Sequence, residues 1–290
     1  MTTEIKISVP ADFRFYQTLR DTTRQPFGLT ECLIDAVYHT LINQTLVSIR
    51  HDKNNQVLLI TSSGQVDLLN GIIRLRFGLD QNLADFYSRQ YDLELRAIIS
   101  RLSGLRLFQK STPFESLVTA IVDQQLNLAF AEKLKRRLIT TYGLVHKFNQ
   151  MNLYEFPTPQ TLAALDDEAL RPMQFSNNKS RFVIRLARKI TNGEISLNSL
   201  NGQTDVNLYS KLISIYGIGP WTAEYAAMVG FNRMNAFPAA DIGLLNALKA
   251  IYRMEKRPIP AEAHKIANRW EPYRGLMTFY IWYAFEQGFI

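Results

Sequence analysis

Apolar positions in the first hundred residues follow two different spacings. Val37 to Arg50 is rich in β-branched and aromatic residues, and Val57-Leu58-Leu59-Ile60-Thr61 follows the turn-forming Asp52-Lys53-Asn54-Asn55. Together they predict antiparallel hairpins. Helical patterning flanks them at Phe13 to Arg20 and Asp67 to Phe77. Beyond about residue 95 the strand signals fade and helix punctuation repeats. Thr112-Pro113-Phe114-Glu115 sets a cap, a first-turn proline and a capping-box glutamate ahead of an apolar run. Thr158-Pro159 opens another helix in the same way, and Asn127 caps a third. The fold class is α+β: a small antiparallel α/β domain over residues 1–95, then an all-helical bundle over 96–290.

Two segments of the bundle carry more than a core pattern. Between Asn177 and Asn192, Phe182, Leu186 and Ile190 recur four apart while Arg181, Arg185 and Arg188 take another face. A solvated amphipathic surface is the simpler reading, and a basic face near phosphates is the other. From Asn207, the spacing of Leu208, Leu212 and Ile215 predicts a helix, and Pro220 starts a second one running to Gly230. Between them lies Tyr216-Gly217-Ile218-Gly219. Two glycines around one apolar residue permit positive φ and a close backbone approach, so amides can face a phosphate at a helix N-terminus. Such a clamp is blind to base sequence, and a Gly-x-Gly turn by itself equally describes a plain helical hairpin.

Composition narrows the classes. A chain of 290 residues makes one or two domains, and 33 Lys plus Arg against 26 Asp plus Glu gives a net charge of +7. That balance favours a polyanionic partner, or only keeps the protein dispersed. Cys32 is the only cysteine, which excludes an internal disulfide, a thiolate zinc site and a four-cysteine iron–sulfur cluster. His39, His51, His146 and His264 show no metal-ligand spacing, and there is no Gly-x-x-x-x-Gly-Lys. The N-terminus lacks a signal-peptide run, and the apolar stretch around Phe279 to Tyr283 is too short to span a membrane. The expectation is a cytoplasmic protein with no membrane partner.

The longer string Leu212 to Ala223, followed by Asn235-Ala236-Phe237-Pro238-Ala239-Ala240-Asp241, resembles the helix-hairpin-helix DNA glycosylase superfamily, named for its hairpin, a Gly/Pro-rich loop and an Asp. Within it the chain is most similar to the bacterial 3-methyladenine DNA glycosylase II family. The similarity extends through Pro113 to Gln125, Phe156-Pro157-Thr158-Pro159, Arg269 to Arg274 and Ile281-Trp282-Tyr283. That family also begins with a small antiparallel α/β domain. The resemblance implies a monomeric base excision repair enzyme acting on double-stranded DNA that contains alkylated bases, with no required cofactor.

It also implies roles for individual residues. The hairpin, at about residues 207–230, would bind the DNA backbone through Gly217, Ile218 and Gly219. Asp241 would be the catalytic carboxylate, stabilising the positive charge that develops on the sugar. An Asp ahead of Leu244, Leu245 and Leu248 is also a natural helix N-cap, and the two roles are compatible. Members that also cut the strand place a lysine directly after the proline, to form a Schiff base; here the position holds Trp221, which implies hydrolysis without strand cleavage. Trp221, Tyr225 and Trp282 would wall the base pocket, where aromatic faces attract a cationic base by roughly 0.5–2 kcal/mol; each could instead be core. Flipping the base leaves a gap that Gln125 or Leu126 would fill. The backbone carbonyls of Ile213, Ile215 and Ile218 would hold a monovalent or divalent cation at the hairpin. Ala240 and Ile242 depart from the acid and aromatic that flank the Asp in the family. Two rival functions remain: a bifunctional glycosylase/lyase for oxidised purines of the 8-oxoguanine type, and a non-catalytic helix-hairpin-helix DNA-binding protein.

Overall fold

The computed structural model describes residues 3–19, 28–64, 68–148 and 150–290. Five strands, β1 (Thr3–Ser8), β2 (Glu31–Ile34), β3 (Val37–Ile42), β4 (Thr45–Asp52) and β5 (Val57–Ser62), form one antiparallel sheet in the order β1-β5-β4-β3-β2. The apolar run from Val37 to Arg50 is two strands rather than one. Asn43 and Gln44 both take left-handed conformations, φ 49° and 62°, and reverse the chain between β3 and β4. At the next turn Asp52 Oδ1 accepts from the Asn54 and Asn55 amides, both at 3.1 Å.

One sheet face, including Tyr38, Val47, Ile49, Leu58 and Ile60, packs on Phe13, Phe15, Ile73 and Phe77. These belong to or flank α1 (Phe15–Thr18) and α2 (Leu69–Arg76). Helix α1 is a single turn; Arg20 and Asp67, the predicted helix limits, lie outside the described residues. The opposite face is covered by a hairpin the sequence did not announce, β6 (Val145–Phe148) and β7 (Met151–Tyr154), set within the helical half. Leu153, Phe148 and Met151 lie on Cys32 and Leu41, and the Tyr154 amide donates to the Leu29 carbonyl at 2.7 Å. Four residues per strand are too few for alternation to stand out, and the hairpin's stabilisation is tertiary. Burial pushes the Cys32 thiol up to about 11, with the Glu31 charge adding to the effect, so it stays protonated and unreactive at neutral pH.

The helical half comprises α3 (Ala84–Ser88), α4 (Leu93–Arg101), α5 (Pro113–Asp123), α6 (Leu128–Tyr142), α7 (Pro159–Ala163), α8 (Asn177–Thr191), α9 (Leu197–Asn201), α10 (Asp205–Ile213), α11 (Pro220–Phe231), α12 (Ile242–Ile251), α13 (Pro260–Ala267) and α14 (Arg274–Glu286). The predicted caps form: Thr112 accepts from Glu115 N–H at 3.0 Å, Asn127 from Phe130 at 2.9 Å and Thr158 from Thr161 at 3.1 Å. The Glu115 carboxylate reaches the Ser111 amide at 3.2 Å.

Two cores meet at α11. Ala223, Ala226 and Phe231 pack with α5, α6 and α8, while Met228 and Val229 pack with α4, α12 and α14. The helix therefore presents apolar residues to both cores and shows no amphipathic stripe. The segment from Leu83 to Leu107 packs with the C-terminal helices, and Phe108 touches both that core and the core under the sheet. On α8, Arg185 and Arg188 pair with Asp167 at 2.8 and 2.6 Å, and Arg181 with Glu168 at 3.4 Å. Its basic face is thus an ion-paired surface, as the simpler reading expected. Among the described residues no helix is long and apolar enough to cross a membrane.

Two glycines test this packing in opposite directions. At Gly230, where α11 crosses α5, a Cβ would lie 1.9 Å from Ser116 Oγ and 2.7 Å from its Cβ. Gly230→Ala is expected to destabilise by about 1–3 kcal/mol. Gly71 in α2 is exposed with open space around it, so Gly71→Ala should stabilise by about 0.5–1 kcal/mol. Urea unfolding midpoints of the two variants check both signs.

Candidate functional site

The hairpin between α10 and α11 is closed by short backbone bonds: Ile215 N–H to Leu212 carbonyl at 3.1 Å and Ile218 N–H to Ile215 carbonyl at 3.0 Å. Gly217 sits at φ 90°, and a Cβ there would fall 2.3 Å from the Phe182 ring of α8. Both facts require glycine. Gly219 differs from expectation: at φ −89° and ψ 177° it is extended backbone open to any residue, and a Cβ would meet nothing within 4 Å. Its contribution is open space before α11, whose first amides have no side-chain cap and so remain available to an anion. Ile218 and Ile215 are buried anchors, while Tyr216 is exposed and meets Phe182 edge-on at 5.0 Å.

Asp241 is the N-cap of α12 and also more than that. Its Oδ1 accepts from Leu244 N–H at 2.8 Å and from Trp282 Nε1–H at 3.0 Å, and its Oδ2 accepts from Trp221 Nε1–H at 3.2 Å. A Cβ at Gly243 would crowd Asp241 Oδ1 at 3.1 Å, while at 3.9 Å from the Trp282 indole nitrogen it would make only ordinary contact. The aromatic set is contiguous. Trp221 stacks on Tyr225 with centroids 5.4 Å apart at 22°, and Tyr225 meets Trp282 at 6.2 Å. Tyr225 and Trp282 line a cavity of about 40 Å³ where the bundle meets the sheet; Trp221 lies outside that lining.

The loop leading to Asp241 is held by neighbours. Gly275 and Leu276 amides donate to the Met234 carbonyl at 2.7 and 3.0 Å, and Arg274 Nε donates to Asn235 Oδ1 at 3.0 Å. Glu224 on α11 accepts from the Ala239 amide, and burial pushes its carboxyl up to about 7 against that bond and the Arg274 charge.

The turn after α5 brings the third part. Gln125 is exposed at φ 53°, while Leu126 is half-buried against the α5–α8 core. Gln124 Nε2 donates to the Gly217 carbonyl at 3.0 Å and to Thr222 Oγ1 at 2.7 Å. Lys179 of α8, only 9% exposed, donates from Nζ to the carbonyls of Val122 and Gln124, both at 2.6 Å. Burial brings its ammonium down to about 8, opposed by the Asp123 charge. Turn, α8 and hairpin are thereby one bonded unit. Gln124, Lys179, Gly243 and Glu224 were not singled out from sequence. Lys179 alone left a signal, one helical turn before Val183 on the buried face of α8.

Of the predicted cation ligands, the Ile215 carbonyl already accepts from Ile218 N–H. Among the described residues no group of His, Cys, Asp or Glu could hold a metal.

Residues 118–272 match the family described as HhH-GPD superfamily base excision DNA repair protein. The Bacillus subtilis protein YfjP is 29% identical over 288 residues, covering 97% of this chain and 99% of its own. A second Bacillus subtilis protein, named DNA-3-methyladenine glycosylase, is 32% identical over 207 residues, covering 71% of this chain and 68% of its own. The solved 3-methyladenine DNA-glycosylase from Archaeoglobus fulgidus shares the fold, with a TM-score of 0.85 at 21% identity over 98% of both chains. A family match over more than half of the chain decides its membership: the chain belongs to the HhH-GPD superfamily of base excision DNA repair proteins.

Proposed function

We propose that this DNA glycosylase is monofunctional: it extrudes an alkylated purine, such as 3-methyladenine, from double-stranded DNA and hydrolyses the N-glycosidic bond, leaving an abasic site. The observation that carries the proposal is the Asp241 carboxylate bonded to two indole N–H groups whose rings belong to the aromatic set. The carboxylate is fixed before substrate arrives. Oδ1 takes two donors and Oδ2 one, so Oδ2 keeps the larger acceptor capacity. A fixed carboxylate stabilises an oxocarbenium-like sugar without reorganising at the moment of reaction. Donation to an anion also makes each indole more electron-rich, which suits a base made cationic by alkylation.

The remaining roles follow. The amides around Gly217, Ile218 and Gly219 bind a phosphate, and Gln125 enters the gap left by the flipped base while Leu126 stays anchored in the core. The enzyme acts as a monomer and requires no cofactor. Carbonyls of Ile213, Ile215 and Ile218 are uncharged hard donors that fit a monovalent cation, which would add positive charge near the bound phosphate. A lyase needs an amine beside the carboxylate, and the side chains bonded to Asp241 are both indoles. A non-catalytic clamp needs neither the carboxylate nor the rings.

Asp241→Asn keeps an N-cap but leaves one indole N–H without its acceptor. We expect base release from methylated duplex DNA to fall at least about 100-fold, with a stability loss of about 1–3 kcal/mol. Chromatography of released bases reads the first effect, and near-normal release would overturn the assignment. Borohydride treatment during turnover should trap no protein–DNA adduct and leave the strand unnicked; a trapped adduct would favour the lyase.

The Glu224 carboxyl is raised from 4.5 to about 7, so its stabilising contribution is full below 4.5 and lost as pH rises through 7. Glu224→Gln should match wild type near pH 5 and gain Tm over it between pH 6 and 8. Calorimetry across that window that shows a constant difference would contradict the buried carboxyl.

A further inference from the structure

The turn after α5 is held by a cation placed where a helix least favours one. Lys179 is the third residue of α8, and its amide donates to the capping Ser176 Oγ at 3.3 Å, so its charge sits at the positive end of the helix dipole. Its side chain is also buried, which penalises the ammonium further. Against both costs, Nζ donates to the carbonyls of Val122 and Gln124, each at 2.6 Å. These belong to the end of α5, where carbonyls lack intrahelical donors and the dipole is negative. A salt bridge does not account for the lysine. The Asp123 carboxylate is paired with Lys135 of α6 at 3.2 Å, and Lys135 also meets Glu132 at 3.3 Å. The ammonium is aimed at backbone.

What the two bonds restrain is Gln125. Its backbone is left-handed at φ 53°, a conformation that a residue with a side chain keeps only when its surroundings impose it. The Gln125 side chain is exposed and imposes nothing. Lys179 fixes the Gln124 carbonyl on one side, and on the other the Leu126 amide donates back to the Asp123 carbonyl at 3.4 Å. We infer that Lys179 is a positioning residue for nucleotide extrusion, whose ammonium holds the turn in the conformation that presents Gln125 to the gap left by the departing base; the inference rests on the wedge role proposed for Gln125. Extrusion loses stacking and pairing. A wedge ordered beforehand replaces part of them without losing backbone entropy at that step. Three residues after Lys179, Phe182 closes over Gly217, so one helix sets both the turn and the hairpin.

The test measures single-turnover release of 7-methylguanine from two duplexes, one with the base opposite cytosine and one with it opposite a reduced abasic site, where no pair has to be broken. Lys179→Met should slow release from the paired duplex about tenfold or more and from the unpaired one less than about threefold, with affinity for undamaged duplex within about twofold of wild type. Lys179→Arg keeps a charge and donors, and should recover much of the rate that Lys179→Met loses on the paired duplex. Should Lys179→Met not fold, Lys179→Gln, which keeps an amide donor, carries the same comparison. Gln125→Ala should show the same preference for the unpaired duplex. Where Gln125→Ala does so, equal slowing of both duplexes by the Lys179 variants would mean general structural support and overturn the inference, and unchanged rates would overturn it as well. Gln125→Ala without that preference would instead bring down the wedge reading, and the inference with it. Release from neither duplex by the wild type would bring down the alkylpurine reading.

Discussion

The Asp241 carboxylate is the point on which the structure converges. Its three N–H donors come from three elements: Trp221 from the first turn of α11, Leu244 from α12 and Trp282 from α14. A charge-assisted bond of this kind is sensitive to donor distance and direction, so each helix is constrained relative to the others. The close approaches in the bundle serve that constraint. Gly243 leaves room for the Asp241 carboxylate, and Gly275 admits the loop, since a Cβ at Gly275 would stand 2.5 Å from the Ala236 carbonyl. Gly230 lets α11 lie against α5.

Helix α11 transmits the constraint outward. Its N-terminus faces the hairpin, its first turn carries Trp221, and Tyr225 follows one turn later toward the sheet. From Ala226 to Phe231 the helix is buried without a break, so it cannot rotate or slide without opening a cavity. The exposed Gln125 belongs to the same frame through Gln124, which is bonded to both the hairpin carbonyl of Gly217 and Thr222 of α11. The hairpin, Gln125 and the Asp241 carboxylate are therefore set at fixed separations, as the proposed extrusion of a nucleotide demands.

What could be read from the sequence was what is locally encoded. Thr112, Asn127 and Thr158 cap helices by bonds spanning three residues, and the hairpin lies in one continuous string. Asp241 was legible as a cap, and its catalytic role was an expectation from resemblance; its indole partners lie 20 and 41 residues away, and no spacing rule encodes them. Gly217 and Gly219 look alike in sequence, yet only Gly217 uses positive φ, because only there does the Phe182 ring of α8 close over the backbone. The β6–β7 hairpin was missed since its stabilisation comes from Cys32 and Leu41, over a hundred residues earlier.

The N-terminal sheet meets the bundle at a junction centred on Phe108. A hairpin, a carboxylate and an aromatic wall can be built from the bundle alone, since Trp221, Tyr225, Asp241 and Trp282 all lie there. Aromatic faces attract any cationic base and discriminate weakly among them. A polar group buried at such a junction is costly unless its surroundings hold it. Arg76 is anchored on the sheet side by Glu31 and Thr40, and Gln109 is bonded to it through the backbone. Next to Gln109, the Lys110 amide donates to the Val229 carbonyl of α11 at 2.9 Å, so the polar wall is tied to the helix that carries Tyr225. The groups proposed to set the reaction geometry thus reside in the bundle, and the sheet is tied to it through Arg76, Gln109 and Lys110.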